Sequence, residues 1–277
     1  MSTPPTSRPR PADGAYPIVR WPPHVGADGD DNVTAEEPLE IRVDGAPVAV
    51  TMRTPGHDDE LAAGFCLTEG IVAEGDEIDR VESCNNADED NVVDVRLDGN
   101  GRESAIERTR RMTYLSSSCG ICGKQTLDRI EQLTRPFDRD AVRLHAAAVA
   151  ALPERMRRDQ DQFSRTGGVH AAALFTTDMK LTVLREDVGR HNAVDKVIGF
   201  CLLQGLQRHK ESSVLVVSGR VSFEIVQKAA VARIPVVAAV SAPTSLAVEL
   251  ANRLDMTLLG FVRDGRFNIY SGAQRIV

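Results

Sequence analysis

Two uninterrupted apolar runs, Val214-Leu215-Val216-Val217 and Pro235-Val236-Val237-Ala238-Ala239-Val240, constrain this chain more than any other feature. A strand with one wet face alternates apolar and polar residues, whereas a strand apolar at every position must be covered on both sides. Stretches of helical length lie around these runs, at Ala193 to Leu206, Ser222 to Arg233 and Thr244 to Leu254. Further strands are expected at Lys180 to Leu184, Thr257 to Val262 and Phe267 to Tyr270. Such an alternation predicts a largely parallel sheet with helices on both faces. The C-terminal part, 163–277, is therefore expected to be an α/β domain.

The preceding part has another rhythm. Residues 1–34 carry Pro4, Pro5, Pro9, Pro11, Pro17, Pro22 and Pro23 and are expected to form a disordered leader. Leu39, Ile41 and Val43 then alternate with charged residues. Asp44-Gly45 signals a hairpin, and Val48 and Val50 resume the alternation. Thr54-Pro55-Gly56 breaks the chain. A helix is expected from Asp58 or Asp59 to near Gly70, with Cys66 as a small buried hydrophobe. Val92 to Leu97 alternates as a strand, and helices are expected over Thr126 to Leu133 and Ala141 to Arg158. The charged tract Arg155, Arg157, Arg158 and Asp159 reads as a solvated helix face bridging two halves. Residues 35–162 are thus a smaller mixed α+β domain.

Net charge is −7 and the sequence pI is near 5.5. This balance argues against non-specific binding to nucleic acid or to an anionic membrane. No run approaches the roughly 18 apolar residues that a membrane span requires. The five cysteines are too few and too irregular for a secreted disulfide framework, so the cytoplasm is the expected compartment.

Two of those cysteines sit in Ser116-Ser117-Ser118-Cys119-Gly120-Ile121-Cys122-Gly123-Lys124. Small hydroxyls, glycines and a lysine offer almost nothing to bury, so this is expected to be a mobile, exposed loop. A second thiol and a cation both favour the reactive thiolate. Three chemistries suit the pair: a structural zinc site, a thioredoxin-like redox site, or a persulfide carrier. Zinc needs four ligands and would have to recruit Cys84 and a histidine. A redox pair would sit at a helix N-terminus rather than in a floppy loop. A carrier gains from mobility, since its thiolate must accept sulfur at one place and release it at another.

In open α/β sheets ligands gather beyond the carboxyl ends of the strands. The expected tips here are Arg185 to Asn192, Ser218-Gly219-Arg220, Ser241-Ala242-Pro243-Thr244 and Phe261 to Arg266. Arginine forks and free N–H groups suit phosphate oxygens, which makes a phosphorylated or nucleotide-bearing ligand the natural expectation. Neither a P-loop nor a dinucleotide fingerprint occurs. His191 is open to two readings, a general acid or ligand contact and a plain polar loop residue.

Taken in order, several stretches resemble the FdhD/NarQ family, the sulfurtransferases that serve formate dehydrogenase. They are Glu37-Pro38-Leu39, Thr54-Pro55-Gly56 with Asp59-Glu60-Leu61, Leu67-Thr68-Glu69-Gly70, and Ser117 to Gly123. Thr166 to Ala172, Arg185 to Asn192 with Asp195-Lys196, Ser218-Gly219-Arg220, and Gly260 to Arg266 complete the set. The resemblance spans Glu36 to Tyr270. It implies a cytoplasmic sulfur carrier that takes sulfur from a cysteine desulfurase. The sulfur passes to the molybdenum bis(molybdopterin guanine dinucleotide) cofactor, which then enters formate dehydrogenase. On the family's motif Cys119 would carry the persulfide and Cys122 would assist or resolve it. Phe261, Val262, Arg263, Asp264, Gly265 and Arg266 would form the cofactor-binding segment, with His191 and Arg220 beside it. The family is dimeric, and no permanent metal is implied. Its larger domain is a three-layer α/β unit resembling the cytidine deaminase fold. Deaminase chemistry is excluded, because His170-Ala171-Ala172 lacks the glutamate of His-x-Glu and Cys201 stands alone. A competing expectation is a non-catalytic chaperone that holds the cofactor, its cysteine pair a redox or zinc switch. A further one is a zinc-stabilised nucleotide-binding module.

Overall fold

The computed structural model describes residues 13–19, 21, 29–73, 77–84, 91–98, 134–139, 142–206 and 213–277. The cysteine loop and the helix expected over Thr126 to Leu133 lie outside them. The two apolar runs form β9 (Ser213–Val217) and β10 (Val236–Ala239), buried at every position. They occupy the middle of a six-stranded sheet of order β12-β11-β10-β9-β7-β8. The flanking strands are β7 (His170–Thr176), β8 (Leu181–Asp187), β11 (Thr257–Arg263) and β12 (Arg266–Ser271).

The sheet is mixed, which corrects the expectation of a largely parallel one. Only the pairs β9/β10 and β10/β11 are parallel, while β7/β8, β7/β9 and β11/β12 are antiparallel. The cause is a hairpin, β7–β8, laid against β9 where a crossover strand was expected. The sequence concealed β7 because Ala171, Ala172 and Ala173 have low strand propensity, although the sheet buries all three.

Alternate residues of these strands feed two cores. Ala172, Leu174, Leu215 and Val217 face α5 (Arg190–Leu203), α6 (Phe223–Val231) and α7 (Ser245–Arg253). Ala171, Ala173, Phe175, Val214 and Val216 face the opposite way, against Leu152 and Met156. Those two belong to α3 (Leu152–Arg158), which follows α2 (Ala146–Ala150) and precedes α4 (Asp161–Thr166). The single helix expected over Ala141 to Arg158 is therefore broken. Leu144 instead bridges to Ile276 at the C-terminus, and Pro153 cannot donate within a continuing helix. Because Leu152 and Met156 pack on the six-stranded sheet, the boundary expected between 162 and 163 does not separate packing units.

The N-terminal part forms a second sheet, β4-β3-β6-β5, from β3 (Glu37–Val43), β4 (Ala46–Arg53), β5 (Ile78–Cys84) and β6 (Val92–Leu97). Leu39, Ile41, Val93 and Val95 point from it into the first core through α1 (Asp58–Thr68). Helix α1 crosses α5 with backbones almost touching. A β-carbon on Gly64 would lie 1.9 Å from the Asp195 carbonyl oxygen, and one on Gly199 1.8 Å from that of Glu60. Only glycine fits this crossing, and it joins the two sheets through one continuous core.

The leader is also corrected in part. Within the span expected to be disordered, β1 (Asp13–Ile18) pairs antiparallel with β2 (Gly29–Thr34). Pro17 is tolerated because a two-stranded ribbon leaves one edge of each strand unpaired. Thr34 Oγ1 donates to Thr166 Oγ1 at 2.6 Å and ties the ribbon to the end of α4.

Candidate functional site

Strands β8, β9, β10 and β11 run in one direction, and β7 runs against them, so their carboxyl ends share one sheet end with the start of β7. A cavity of about 690 Å³ opens there. Its walls come from α3 and α4 (Arg157, Phe163), the Gly167–His170 turn, Ser218 after β9, and the β11–β12 turn. The Arg157 guanidinium lies over the Phe163 ring, 4.3 Å from its centroid, as a flat wall. Helix α4 is fixed to the sheet by Glu186, whose carboxylate accepts from Gln162 N (2.8 Å) and Phe163 N (2.9 Å). That carboxylate meets the two exposed N–H groups and the positive end of the helix. The tract read as a solvated helix face is exposed at all four positions, and Arg157 of it also lines the cavity.

The β11–β12 turn owes its shape to sequence. Asp264 and Gly265 have φ of 53° and 72°, and Arg263 pairs with Arg266, the geometry of a two-residue hairpin favoured by Asp-Gly. Phe261 has φ 54°, a left-handed value that costs a bulky residue about 1–2 kcal/mol. Its N–H donates to Ser241 O at 3.1 Å, which holds the irregularity between Gly260 and Arg263 in place. Gly260 is required because a β-carbon would stand 2.9 Å from both Pro243 and Tyr270.

The expected cofactor segment divides between three surroundings. Arg263, Asp264 and Gly265 line the cavity. Phe261 and Arg266, with Arg263 shared, line a separate hollow of about 220 Å³. Val262 is buried completely in the second core, so it anchors the strand and offers nothing to a ligand. Arg220 is exposed after β9 and does not reach the cavity wall. His191 lies in the first turn of α5, with Nε2 3.3 Å from Ser222 Oγ and 3.8 Å from Glu224. Burial and the neighbouring Arg190 lower its pKa, so its ring is neutral near pH 7. It too lies off the cavity wall. Cys119 and Cys122 are outside the described residues. Cys66 and Cys201 are buried, and burial pushes the Cys66 thiol far above its ordinary pKa.

His170, at the start of β7, was not among the expected site residues, yet it lines the cavity beside Ser218. The signal was present in Gly167-Gly168-Val169-His170. Without recognising β7 as an antiparallel strand, nothing placed its first residue at the ligand end of the sheet.

Within the tip Arg185 to Asn192, Arg185 and Asp187 are engaged by other side chains of the protein. Arg185 makes a bidentate pair with Glu60 on α1, at 2.5 and 2.6 Å. Burial alone would raise the Glu60 carboxyl, but hydrogen bonds from Arg185 and His57 outweigh it and hold the pKa below the ordinary range. Asp187 is fully buried, 2.7 Å from Lys196 Nζ, and accepts from the N–H groups of Thr54 (3.2 Å) and Gly189 (2.8 Å). Lys228 donates to Asp195, Thr68 and Glu69 at 2.9, 2.9 and 3.0 Å. Burial would lower the Lys228 pKa, but Asp195 and Glu69 raise it. These groups tie the six-stranded sheet and its helices to α1 and to the segment after β4. Among the described residues no helix is long and apolar enough to cross a membrane.

The FdhD/NarQ family profile matches residues 34–277. A Streptomyces coelicolor protein named sulfur carrier protein FdhD is 51% identical over 253 residues, covering 89% of each chain. A Mycobacterium tuberculosis protein of the same name is 46% identical over 269 residues, covering 91% of this chain and 96% of its own. A crystal structure from Desulfotalea psychrophila, described as a formate dehydrogenase accessory protein, superposes with a TM-score of 0.77 at 25% identity, covering 96% of this chain and all of that one. The β11–β12 turn, the Gly167–His170 and Ser218 parts of the cavity and the Arg185–Glu60 pair come from the stretches that first suggested the relationship, and the match runs the length of both sheets: the chain belongs to the FdhD/NarQ family.

Proposed function

We propose that this chain is a sulfur carrier in the maturation of formate dehydrogenase, with the molybdenum bis(molybdopterin guanine dinucleotide) cofactor as its bound substrate. The observation that supports it most is the cavity itself. At about 690 Å³ it is of ligand size, and it presents an Arg–aromatic wall, a histidine and the Arg263–Gly265 turn at the ligand-binding end of an α/β sheet. The names of the relatives supply the sulfur-carrier role and the client.

In the proposed chemistry the Cys119 thiolate attacks the outer sulfur of a desulfurase persulfide. A new S–S bond forms, the donor's S–S bond breaks, and the donor cysteine leaves as its thiolate. Attack by the Cys122 thiolate on the Cys119 sulfur then closes a disulfide and expels hydrosulfide toward the molybdenum centre. The chain works in the cytoplasm as a homodimer on this reading. A test is formate dehydrogenase activity in cells whose own copy of this gene is deleted and replaced by variants. Cys119→Ala and Arg263→Ala are expected to abolish and to reduce activity, respectively. Full activity with both cysteines replaced by alanine would leave a cofactor-holding chaperone in place of a carrier.

A further inference from the structure

A sheet edge is a row of unpaired backbone groups, and proteins guard it with charge, proline, bulges or cover. The second sheet ends on β4 at one side and on β5 at the other. Strand β5 carries Asp79, Arg80 and Glu82, whereas β4 has no charged residue from Ala46 to Met52. Its defences are Pro47 and a register shift between Ile41 and Arg42, both at its start, so the regular edge runs from Ala49 to Arg53. The pairing fixes which groups point outward. Glu40 stands opposite Val50, yet its N–H donates to Asn91 O at 2.9 Å on the β6 side. Met52 stands opposite Pro38, which has no N–H, and its carbonyl accepts from Asn192 Nδ2 at 2.8 Å instead. Val50 and Met52 are therefore the residues whose backbone groups face away from β3. Asn192 closes the edge at Met52, and among the described residues no backbone group pairs with Val50 on that side. Both side chains are exposed, Val50 by 67% and Met52 by 47%, on the face turned away from Leu39 and Ile41.

The surroundings of this edge are acidic. From Gly29 to Arg53 six carboxylates, Asp30, Asp31, Glu36, Glu37, Glu40 and Asp44, stand against two arginines. Those two, Arg42 and Arg53, already bond to Glu40 and to Glu37 and Asp58 respectively. Glu40 lies across from Val50 and Asp44 sits in the β3–β4 turn, so the open edge lies within the negative field. An extended segment laid along β4 would pair its N–H and C=O with Val50 and rest alternate apolar side chains on Val50 and Met52. Basic residues at its ends would meet the carboxylates. A second copy of this chain is disfavoured, because two-fold pairing of β4 with itself brings two acidic hairpins together. From this we infer that the outer edge of β4, from Ala49 to Met52, docks an extended segment of a partner protein, apolar at alternate positions and flanked by lysine or arginine. The inference stands apart from the cavity and from the sulfur chemistry.

The probe is a fluorescent peptide of alternating valine and threonine with lysines at both ends, titrated into the full chain. Saturable binding is expected, with slowed hydrogen exchange at the Val50 amide. Glutamates in place of the flanking lysines should weaken binding at least roughly tenfold, since they face like charge. Val50→Lys guards the edge without entering the core and should weaken binding by roughly tenfold or more. Val50→Pro removes the outward N–H, leaves the ladder to β3 intact, and should do the same. No binding up to roughly 1 mM would overturn the docking site, as would equal binding by the parent and both variants. Equal affinity for the lysine- and glutamate-flanked peptides would overturn the assignment of a basic partner. Sedimentation equilibrium without peptide reads the competing occupant. Self-association abolished by Val50→Lys would give the edge to a second copy and refute the inference.

Discussion

Gly199→Ala separates two effects of opposite sign. Alanine favours a helix interior over glycine by about 1 kcal/mol, so propensity alone predicts a stabler protein. The structure predicts the reverse. The new β-carbon would lie 1.8 Å from the carbonyl oxygen of Glu60 and 2.6 Å from its carbon. Ordinary contact is near 3.5 Å, so α1 and α5 must separate by roughly 1.5 Å. The obstacle is backbone and cannot turn aside. Separation also loosens Leu61, Val194 and Ile198, all buried, and stretches the Thr68–Asp195 hydrogen bond of 2.8 Å. Overpacking costs about 1–3 kcal/mol, and this case belongs at the top of that range. After the propensity gain and the strained buried network are included, the expected loss is about 2–4 kcal/mol. For a chain of this size that lowers Tm by roughly 5–15 °C. Urea unfolding followed by far-UV circular dichroism reads it directly, with an unchanged m-value as the check on two-state behaviour. A Tm equal to or above that of the parent would show that the crossing is looser than described and refute the argument.

Other outcomes follow from the same contacts. Arg185→Ala leaves the buried Glu60 carboxylate without its fork and is expected to cost about 3 kcal/mol in urea unfolding. Because the folded-state pKa of Glu60 is lowered, its contribution is present above the ordinary carboxylate pKa and lost as pH falls through the folded value. The parent should therefore lose stability on acidification more steeply than Glu60→Gln, measured as Tm between pH 6 and pH 3. Cys66 should resist alkylation in the native state at pH 8 and react only on unfolding, as peptide mass mapping would show. Gly265→Val forces a β-branched residue to φ 72° and should both destabilise the hairpin, by about 1–2 kcal/mol, and weaken guanosine diphosphate binding.

What the sequence revealed depended on whether a signal was local. The runs at 214–217 and 236–240 predicted central strands because a strand apolar at every position needs cover on both faces, and both strands are buried throughout. Asp264-Gly265 announced its turn because only such pairs adopt two successive positive φ values cheaply. Long-range pairing was not legible. Arg185 has the look of a ligand arginine until Glu60, 125 residues away, is placed beside it. Val262 looked like part of a binding segment, but strand alternation turns it into the core. His170 was read only against the deaminase motif, because alanines disguised the strand that puts it at the ligand end of the sheet. The ribbon of β1 and β2 was hidden by prolines that matter only where an N–H must pair.

The central claim is that this chain carries sulfur on Cys119, and intact mass spectrometry tests it most directly. After incubation with an active cysteine desulfurase and cysteine, the chain should gain one sulfur, about 32 Da, and lose it on treatment with a thiol reductant. The gain should be absent in Cys119→Ala. No added mass, while the same donor loads another acceptor, would contradict the account.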